Sequence, residues 1–288
     1  MALAYKVRLL NEGDLGQMYQ TFIEAFSKYS VNMTMSRSAF RSRMLEKLRL
    51  QFNVSPGVFI GDKLVAFIFH VVNDFEGYKT AYNGGTGVIP GYWGNGFTQK
   101  MYEFIKPVLK KYNVERSVLE VIKTNQQAIN AYEKAGFHIT RHYKCYKLTG
   151  QLVPKQFPSD LSISKSLNVD IENFKQCQSL QASMLDSNEH LFQSLKNEIV
   201  LEARLSSVLV GYIVFQAPLG RVSQIAVDPR YRRRGIGTTL MRSAYETSSS
   251  KKLTVINIDE KEVTFCNFLS DIGFVNQVDQ YEMQCLLN

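Results

Sequence analysis

The chain has 288 residues, 45% of them hydrophobic and 21% charged, a length that suits two domains of about 100–150 residues better than one core. No run of about 18 apolar residues occurs, which argues against a transmembrane helix, and the start "MALAYKVRLLNEGD" lacks the apolar stretch of a secretory signal. The net charge of +8 suits nucleic acid, an anionic cofactor or mere solubility; apart from Arg230 and Arg232 to Arg234 it is spread evenly, which makes nucleic acid the weakest of the three.

The first half opens on a strand, "YKVRLL", followed by two amphipathic helical stretches, "DLGQMYQTFIEAFSKY" and "SRSAFRSRMLEKLRL". "GVFIGDKLVAFIFHVV" reads as two strands joined through Gly61-Asp62, and "KTAYNGGTGVIP" as another. Phe97, Met101, Phe104, Ile105 and Val108 then form one apolar helical stripe. "RSVLEVI" is a short buried strand, "NQQAINAYEKAG" a helix closed by Gly136, and "FHITRHYKCYKL" carries the final strands. Residues 149–160, "TGQLVPKQFPSD", have no period and serve as a linker, giving domains at 1–149 and 160–288 around a linker at 150–159.

The second half repeats this order. Strands are expected at "LSISKS", "EIVLEARL", "SVLVGYIVFQ", "VSQIAV", "KLTVINI" and "QYEMQCLL". Helices are expected around 169–195, after the glycines of "RRRGIG", and over "EVTFCNFLSDIGF". Two landmarks recur in register: Tyr92 and Tyr231 lie 139 residues apart, Gly136 and Gly273 lie 137 apart. An internal duplication explains both. Cys145, Cys177, Cys266 and Cys285 are too dispersed for a disulfide frame and fit reduced thiols in the cytoplasm. The four histidines are equally scattered, so no metal-ligand spacing arises and no metal is expected.

The chemistry sits where "VIPGYWGNGFTQKMY" (88–102) and "VDPRYRRRGIGTTLM" (227–241) align. A strand, a glycine turn and a helix start leave backbone N–H groups pointing outward at the positive end of a helix, a seat for a diphosphate. The spacing is neither a P-loop nor a dinucleotide-binding turn. Glycine before a helix, Asn95-Gly96 as a hairpin signal and a solvated arginine run are the plain structural alternatives for either loop alone.

"IAVDPRYRRRGIGTTLM" resembles the acetyl-CoA-binding motif of the GCN5-related N-acetyltransferases, Q/R-x-x-G-x-G/A after a V-x-P strand end, with Arg232, Gly235 and Gly237 at its fixed positions. "LEVIKTNQQAINAYEKAGF" (119–137) is similar to the other hallmark segment of that family, as it stands in the ribosomal-protein alanine acetyltransferases. The resemblance covers about the second half of each repeat. It implies an α/β (α+β) fold of two tandem domains, each a mixed, mostly antiparallel sheet flanked by helices and splayed between its fourth and fifth strands. It implies acetyl-CoA as cofactor, with pantetheine beside Gly87 and Val88 in one half and Ile225 and Val227 in the other. The diphosphate would rest on Trp93, Gly94, Asn95, Gly96, Phe97 and Thr98, and on Arg232, Arg233, Arg234, Gly235, Ile236 and Gly237. Trp93 and Thr98 depart from the motif, which places the first loop's affinity in question.

Acetyl transfer to an amine needs a proton acceptor, oxyanion donors and a proton for the leaving thiolate. The resemblance assigns Glu120 as general base, Tyr132 as general acid and Asn125 as a cofactor contact. The residues alone also admit Tyr132 in the core, Glu120 facing solvent and Asn125 as an N-cap. Alignment of the two closing Gly-Phe pairs sets Thr254, Glu262 and Leu269 at the places of Glu120, Asn125 and Tyr132. The second half thus keeps the loop and loses this version of the chemistry. The stretch 14–49, with Glu24, Tyr29, Arg37, Arg41, Arg43 and Lys47, is expected to border the acceptor groove. The leading expectation is an N-acetyltransferase acting on a small-molecule, peptide or protein amine. A non-catalytic coenzyme A-binding module is the alternative; a homodimer stays open, and neither a membrane nor nucleic acid is expected as a partner.

Overall fold

The computed structural model describes residues 3–29, 31, 33–153, 156–166, 169–193 and 195–287. Contacts gather the chain into two units, residues 1–141 with 281–288, and residues 142–280.

In the first unit, β1 (Lys6–Leu9), β2 (Pro56–Ile60), β3 (Lys63–Phe75) and β4 (Tyr78–Val88) pair antiparallel in that order, and β5 (Arg116–Ile122) joins β4 in parallel. α1 (Leu15–Ala25) and α2 (Arg37–Ser42), the latter running on as a π-turn over Arg43–Lys47, precede β2. α3 (Phe97–Lys111) bridges β4 and β5, and α4 (Gln126–Lys134) leads into β6 (His138–Leu148). The apolar stripe of α3 is buried at Phe97, Met101 and Ile105, as its spacing requires, and Tyr102 and Leu109 join it.

The sequence halves do not close on their own last strands. The unit boundary falls inside β6, and the end of the last strand, β12 (Phe274–Leu286), belongs to the first unit beside β5. Met283, Cys285 and Leu287 enter that unit's core. A buried polar lattice fixes the register: Arg116 donates to Gln284 Oε1 at 3.1 Å and to the Phe75 carbonyl at 2.7 Å, and Arg141 forks onto Glu282 at 2.9 and 2.5 Å. In the second unit β7 (Leu161–Lys165), β8 (Ile199–Leu205), β9 (Val208–Gln216) and β10 (Arg221–Val227) pair antiparallel. β11 (Thr254–Asp259) joins β10 in parallel, and residues 143–147 of β6 close this sheet against β11. α5 (Ile171–Lys175) and α6 (Asn188–Leu191) precede β8; α7 (Ile236–Thr247) and α8 (Val263–Asp271) flank β11 in the chain. Residues 149–153, expected as a free linker, lie along this unit, with Thr149 N–H on the Gly273 carbonyl and Val153 N–H on the Ile272 carbonyl, both at 3.3 Å. Among the described residues no helix is long and apolar enough to cross a membrane.

One core residue carries a pH consequence. His70 on β3 is fully buried, with Nδ1 at 2.8 Å from the Val54 carbonyl. A carbonyl only accepts, so Nδ1 carries the hydrogen, and Nε2 is buried with no partner. Burial, which disfavours the imidazolium, pushes its pKa from 6.5 down to about 4. The unfolded chain therefore binds more protons than the folded one between those values. Stability is unaffected above pH 6.5 and falls as pH drops toward 4, by about 3 kcal/mol in all. His70→Asn, which keeps a donor for Val54, is expected to remove that share of the acid sensitivity in denaturant unfolding compared at pH 7 and pH 4.5.

Candidate active site

β4 and β5 are paired only from Thr80↔Arg116 to Asn83↔Leu119. Beyond that point Thr86, Gly87 and Val88 remain bonded to β3, opposite Ile68, Phe67 and Ala66, while no further β5 pair forms. The sheet is splayed there, as expected. β10 and β11 part still earlier, after Arg221↔Thr254 and Val222↔Val255, leaving the segment with Ile225 and Val227 bonded to β9 alone.

Two chemical groups flank the first splay. Glu120, half-buried on β5, accepts a hydrogen bond at Oε2 from the Tyr82 hydroxyl. Tyr82 pairs with Val118, so Glu120 lies two residues further along β5 on the same face. Glu120 is therefore held by a phenol on the neighbouring strand. Tyr132 on α4 is buried, 7% exposed, packing on Phe137 with ring centroids 5.9 Å apart. Burial pushes its hydroxyl up to about 12, partly offset by hydrogen bonding to Thr86 and Asn83. Such a phenol keeps its proton at neutral pH. It is at once core and candidate donor, so the two readings of this residue coexist. Asn125 is the N-cap of α4, accepting from Ala128 N–H at 3.1 Å, and it stands near the half-buried Tyr29, whose hydroxyl burial pushes up and Asn125 partly brings back. Tyr29, Asn125, Thr86, Asn83 and Tyr132 thus converge beside the place where β4 and β5 part.

The two glycine loops share one backbone. A 3₁₀ turn, Pro90–Tyr92 or Pro229–Tyr231, leads to two left-handed residues, Gly94 and Gly96 (φ 80° and 69°) or Arg233 and Gly235 (φ 63° and 78°). Gly96 and Gly235 are the N-caps of α3 and α7. The departure at Trp93 is smaller than its side chain suggests. Its indole Nε1 donates to the Val88 carbonyl at 2.8 Å, and Arg232 Nε donates to the equivalent Val227 carbonyl at 2.9 Å. Each side chain caps the end of its strand. Gly94 also places glycine where the second loop strains Arg233, a difference of about 1 kcal/mol.

The surroundings of the loops differ. A Cβ on Gly94 or Gly96 would meet nothing within 4 Å. A Cβ on Gly235 would lie 2.0 Å from the Gln156 carbonyl oxygen, and one on Gly237 3.1 Å from the Phe268 ring. The arginine run is also committed: Arg232 reaches Ser179 at 2.7 Å, Arg230 pairs with Asp228 at 2.6 Å, and Arg234 lies over the Tyr231 ring. The first loop is thus open at the start of a 15-residue helix, whereas the Gln156 backbone lies against the glycine of the second.

The counterpart of Glu120 needs correction. Thr254 begins β11 and pairs with Arg221, so it matches the start of β5. Counting back from the caps of α4 and α8, Asn125 and Glu262, the equivalent of Glu120 is Asn257. Asn257 sits at a register shift in β11 with φ 59° and accepts from Gln280 at 3.1 Å. The conclusion that no carboxylate stands there is unchanged. Leu269 is fully buried at the place of Tyr132. On the β10 side, Gln178, Asn188, Tyr212 and Gln224 bond to one another. Sequence reading missed Tyr82, Asn83 and Thr86: their one signal is that they stand on either side of the Gly84-Gly85 pair that opens the splay.

The chain matches the sequence model of the Acetyltransferase (GNAT) family twice, over residues 16–137 and 168–274. No curated protein matches it. Among solved structures, a GCN5-related N-acetyltransferase from Sphaerobacter thermophilus superposes with a TM-score of 0.76 at 12% identity, covering 99% of this chain and 96% of that one. A tandem GNAT protein from the clavulanic acid biosynthesis pathway also gives 0.76 at 12% identity, with 99% of each chain covered. A GCN5-related N-acetyltransferase from Anabaena variabilis gives 0.65 at 14% identity, covering 99% of this chain and 73% of that one. These likenesses are of fold.

Proposed function

The chain belongs to the acetyltransferase (GNAT) family, carrying its fold twice, and on that premise we propose that its first unit moves an acetyl group from acetyl-CoA to a primary amine of a small molecule, peptide or protein. The observation that carries this reading is the placing of Glu120 and Tyr132 at one splay of the sheet, next to an open anion loop. In it the N–H groups of residues 93–98 hold the diphosphate, and Gly87 and Val88 border the pantetheine arm. Bound acetyl-CoA supplies an activated thioester. Glu120, fixed by Tyr82, takes a proton from the acceptor ammonium and passes it to solvent, directly or through water. As the acyl C–S bond gives way to C–N, Tyr132 gives its proton to sulfur and regains one from the nitrogen. The balance is ammonium plus thioester to amide, thiol and one proton.

The test is transfer of labelled acetyl from acetyl-CoA to a panel of polyamines, amino acids, amino sugars and lysine-bearing peptides. Label in an amine product with an equal amount of free thiol is expected. Tight binding of acetyl-CoA without label in any amine would instead favour the non-catalytic coenzyme A-binding module.

A further inference from the structure

Gly84, Gly85 and Gly87 stand close together on β4, and two of them have a visible cause. A Cβ on Gly84 would lie 2.4 Å from Leu48 Cδ1, and one on Gly87 2.5 Å from the Phe67 ring. Gly84 is besides the extra residue of a bulge, because Phe69 pairs with Gly85 and His70 with Asn83. Gly85 has neither cause. Its φ is not positive, and beyond its chain neighbours a Cβ on it would meet only Phe69 Cδ2, at an ordinary 3.9 Å. Glycine inside a strand weakens it relative to alanine, and where the chain itself does not need the room, a ligand that comes close to the backbone does. The position is half-buried and lies on the face of the sheet that Tyr82 and Glu120 share. Gly85 pairs with Phe69, Tyr82 pairs with Val71 and Val118, and Glu120 follows Val118 by two.

The second unit shows the same position filled. Its β10 carries the same bulge, between Val222 and Gln224, and Gln224 follows Gly85 by the 139 residues that separate the two loops. Gln224 Nε2 donates to the Asp186 carbonyl at 2.6 Å and to Asn188 Oδ1 at 3.0 Å, while Oε1 accepts from the Tyr212 hydroxyl at 2.9 Å. What is chain in one unit is room in the other. In the first unit that room is bordered by carbon, with Leu48 on Gly84 and Phe67 and Phe69 beside it, and the Glu120 carboxylate stands on the same face. Over residues 36–50 the cations Arg37, Arg41, Arg43, Lys47 and Arg49 face one acid, Glu46, which accepts from Ser42 at 2.6 Å. Such surroundings favour one ammonium on an apolar frame and disfavour a second positive charge. We propose that Gly85 is a specificity-determining residue whose room receives the carbon frame of the acceptor, a primary amine with a single positive charge on an arylalkyl body. This rests on the transferase reading given above.

The test compares 2-phenylethylamine with hydroxylamine, which has no carbon frame, using acetyl-CoA as donor and free thiol as readout. Gly85→Ala is expected to lower the ratio of the two kcat/KM values by about tenfold or more. In the wild type, 2-phenylethylamine should exceed spermidine and glucosamine in kcat/KM. In urea unfolding Gly85→Ala should have a midpoint equal to or above that of the wild type, because the room is empty and alanine restricts the unfolded chain. An unchanged ratio, a preference for spermidine or glucosamine, or a lowered midpoint would each overturn the proposal. Wild-type protein releasing thiol no faster than solution with every amine would overturn the transferase reading instead. Calorimetric titration of 2-phenylethylamine into the protein saturated with coenzyme A then decides the site by itself. Binding to the wild type that weakens about tenfold or more in Gly85→Ala supports it, and binding that is absent, or equal in the two, overturns it.

Discussion

Replacing Tyr132 with Phe is expected to lower kcat for acetyl transfer by about 10²- to 10⁴-fold, with the acetyl-CoA Kd changed by no more than about twofold. The substitution removes one oxygen. The ring still packs on Tyr102 and Phe137, at centroid distances of 6.4 and 5.9 Å, so the folding cost is that of one buried hydrogen bond, about 1 kcal/mol. A loss of kcat in a folded, cofactor-binding variant therefore reports the proton and not the scaffold. Because burial pushes this phenol up to about 12, it stays protonated through pH 6–10. Any alkaline fall in rate below pH 10 must come from another group. Glu120→Gln keeps an acceptor for Tyr82 and removes the base, and an effect of similar size is expected from it. Its signature differs: the deficit should shrink as pH rises and the acceptor amine deprotonates unaided. Stopped assays of both variants over pH 6–10 separate the two roles, and equal activity of Tyr132→Phe and wild type would sink the assignment of Tyr132.

Much of this site could be read from the sequence because its landmarks are local. A strand end followed by Pro90 or Pro229, a left-handed glycine and an amphipathic helix all lie within about a dozen residues, so Gly96 and Gly235 fell at helix N-caps as their context required. What was not legible depends on register. Tyr82 meets Glu120 only because it pairs with Val118 in a parallel ladder, and no pattern within either strand fixes that pairing. The 137-residue spacing of the two closing Gly-Phe pairs and the caps Asn125 and Glu262 agree on Asn257 as the counterpart of Glu120; Thr254 stands three residues before it. The destinations of β6 and β12 are hidden for a related reason: both strands are amphipathic segments of similar length, and either could close either sheet. Trp93 departs from the motif because a motif compares residue types, while its indole N–H meets the Val88 carbonyl, the equivalent of the Val227 carbonyl that Arg232 reaches with its guanidinium.

The second large effect concerns which loop binds. Calorimetric titration with acetyl-CoA is expected to give one site per chain, although the better motif is the one in the second half. The reason is steric and electrostatic. The Gln156 carbonyl oxygen would be 2.0 Å from a Cβ at Gly235, so an acceptor atom already faces the glycine where diphosphate oxygens would need donors. Binding there would require moving Gln156 and Phe157, and the guanidinium of Arg232 is already held by Val227 and Ser179. Gly94 and Gly96 have open space instead. Gly96→Asp, which sets a carboxylate beside the diphosphate seat, should weaken binding about 100-fold or more. Gly235→Ala should leave Kd and stoichiometry unchanged yet lower stability by about 2–4 kcal/mol, because it combines a left-handed φ with a clash against backbone. Two sites in the wild type would show that the second loop binds despite Gln156; loss of the single site in Gly235→Ala while Gly96→Asp still binds would move the cofactor to the second unit and leave Glu120 and Tyr132 without a substrate to act on.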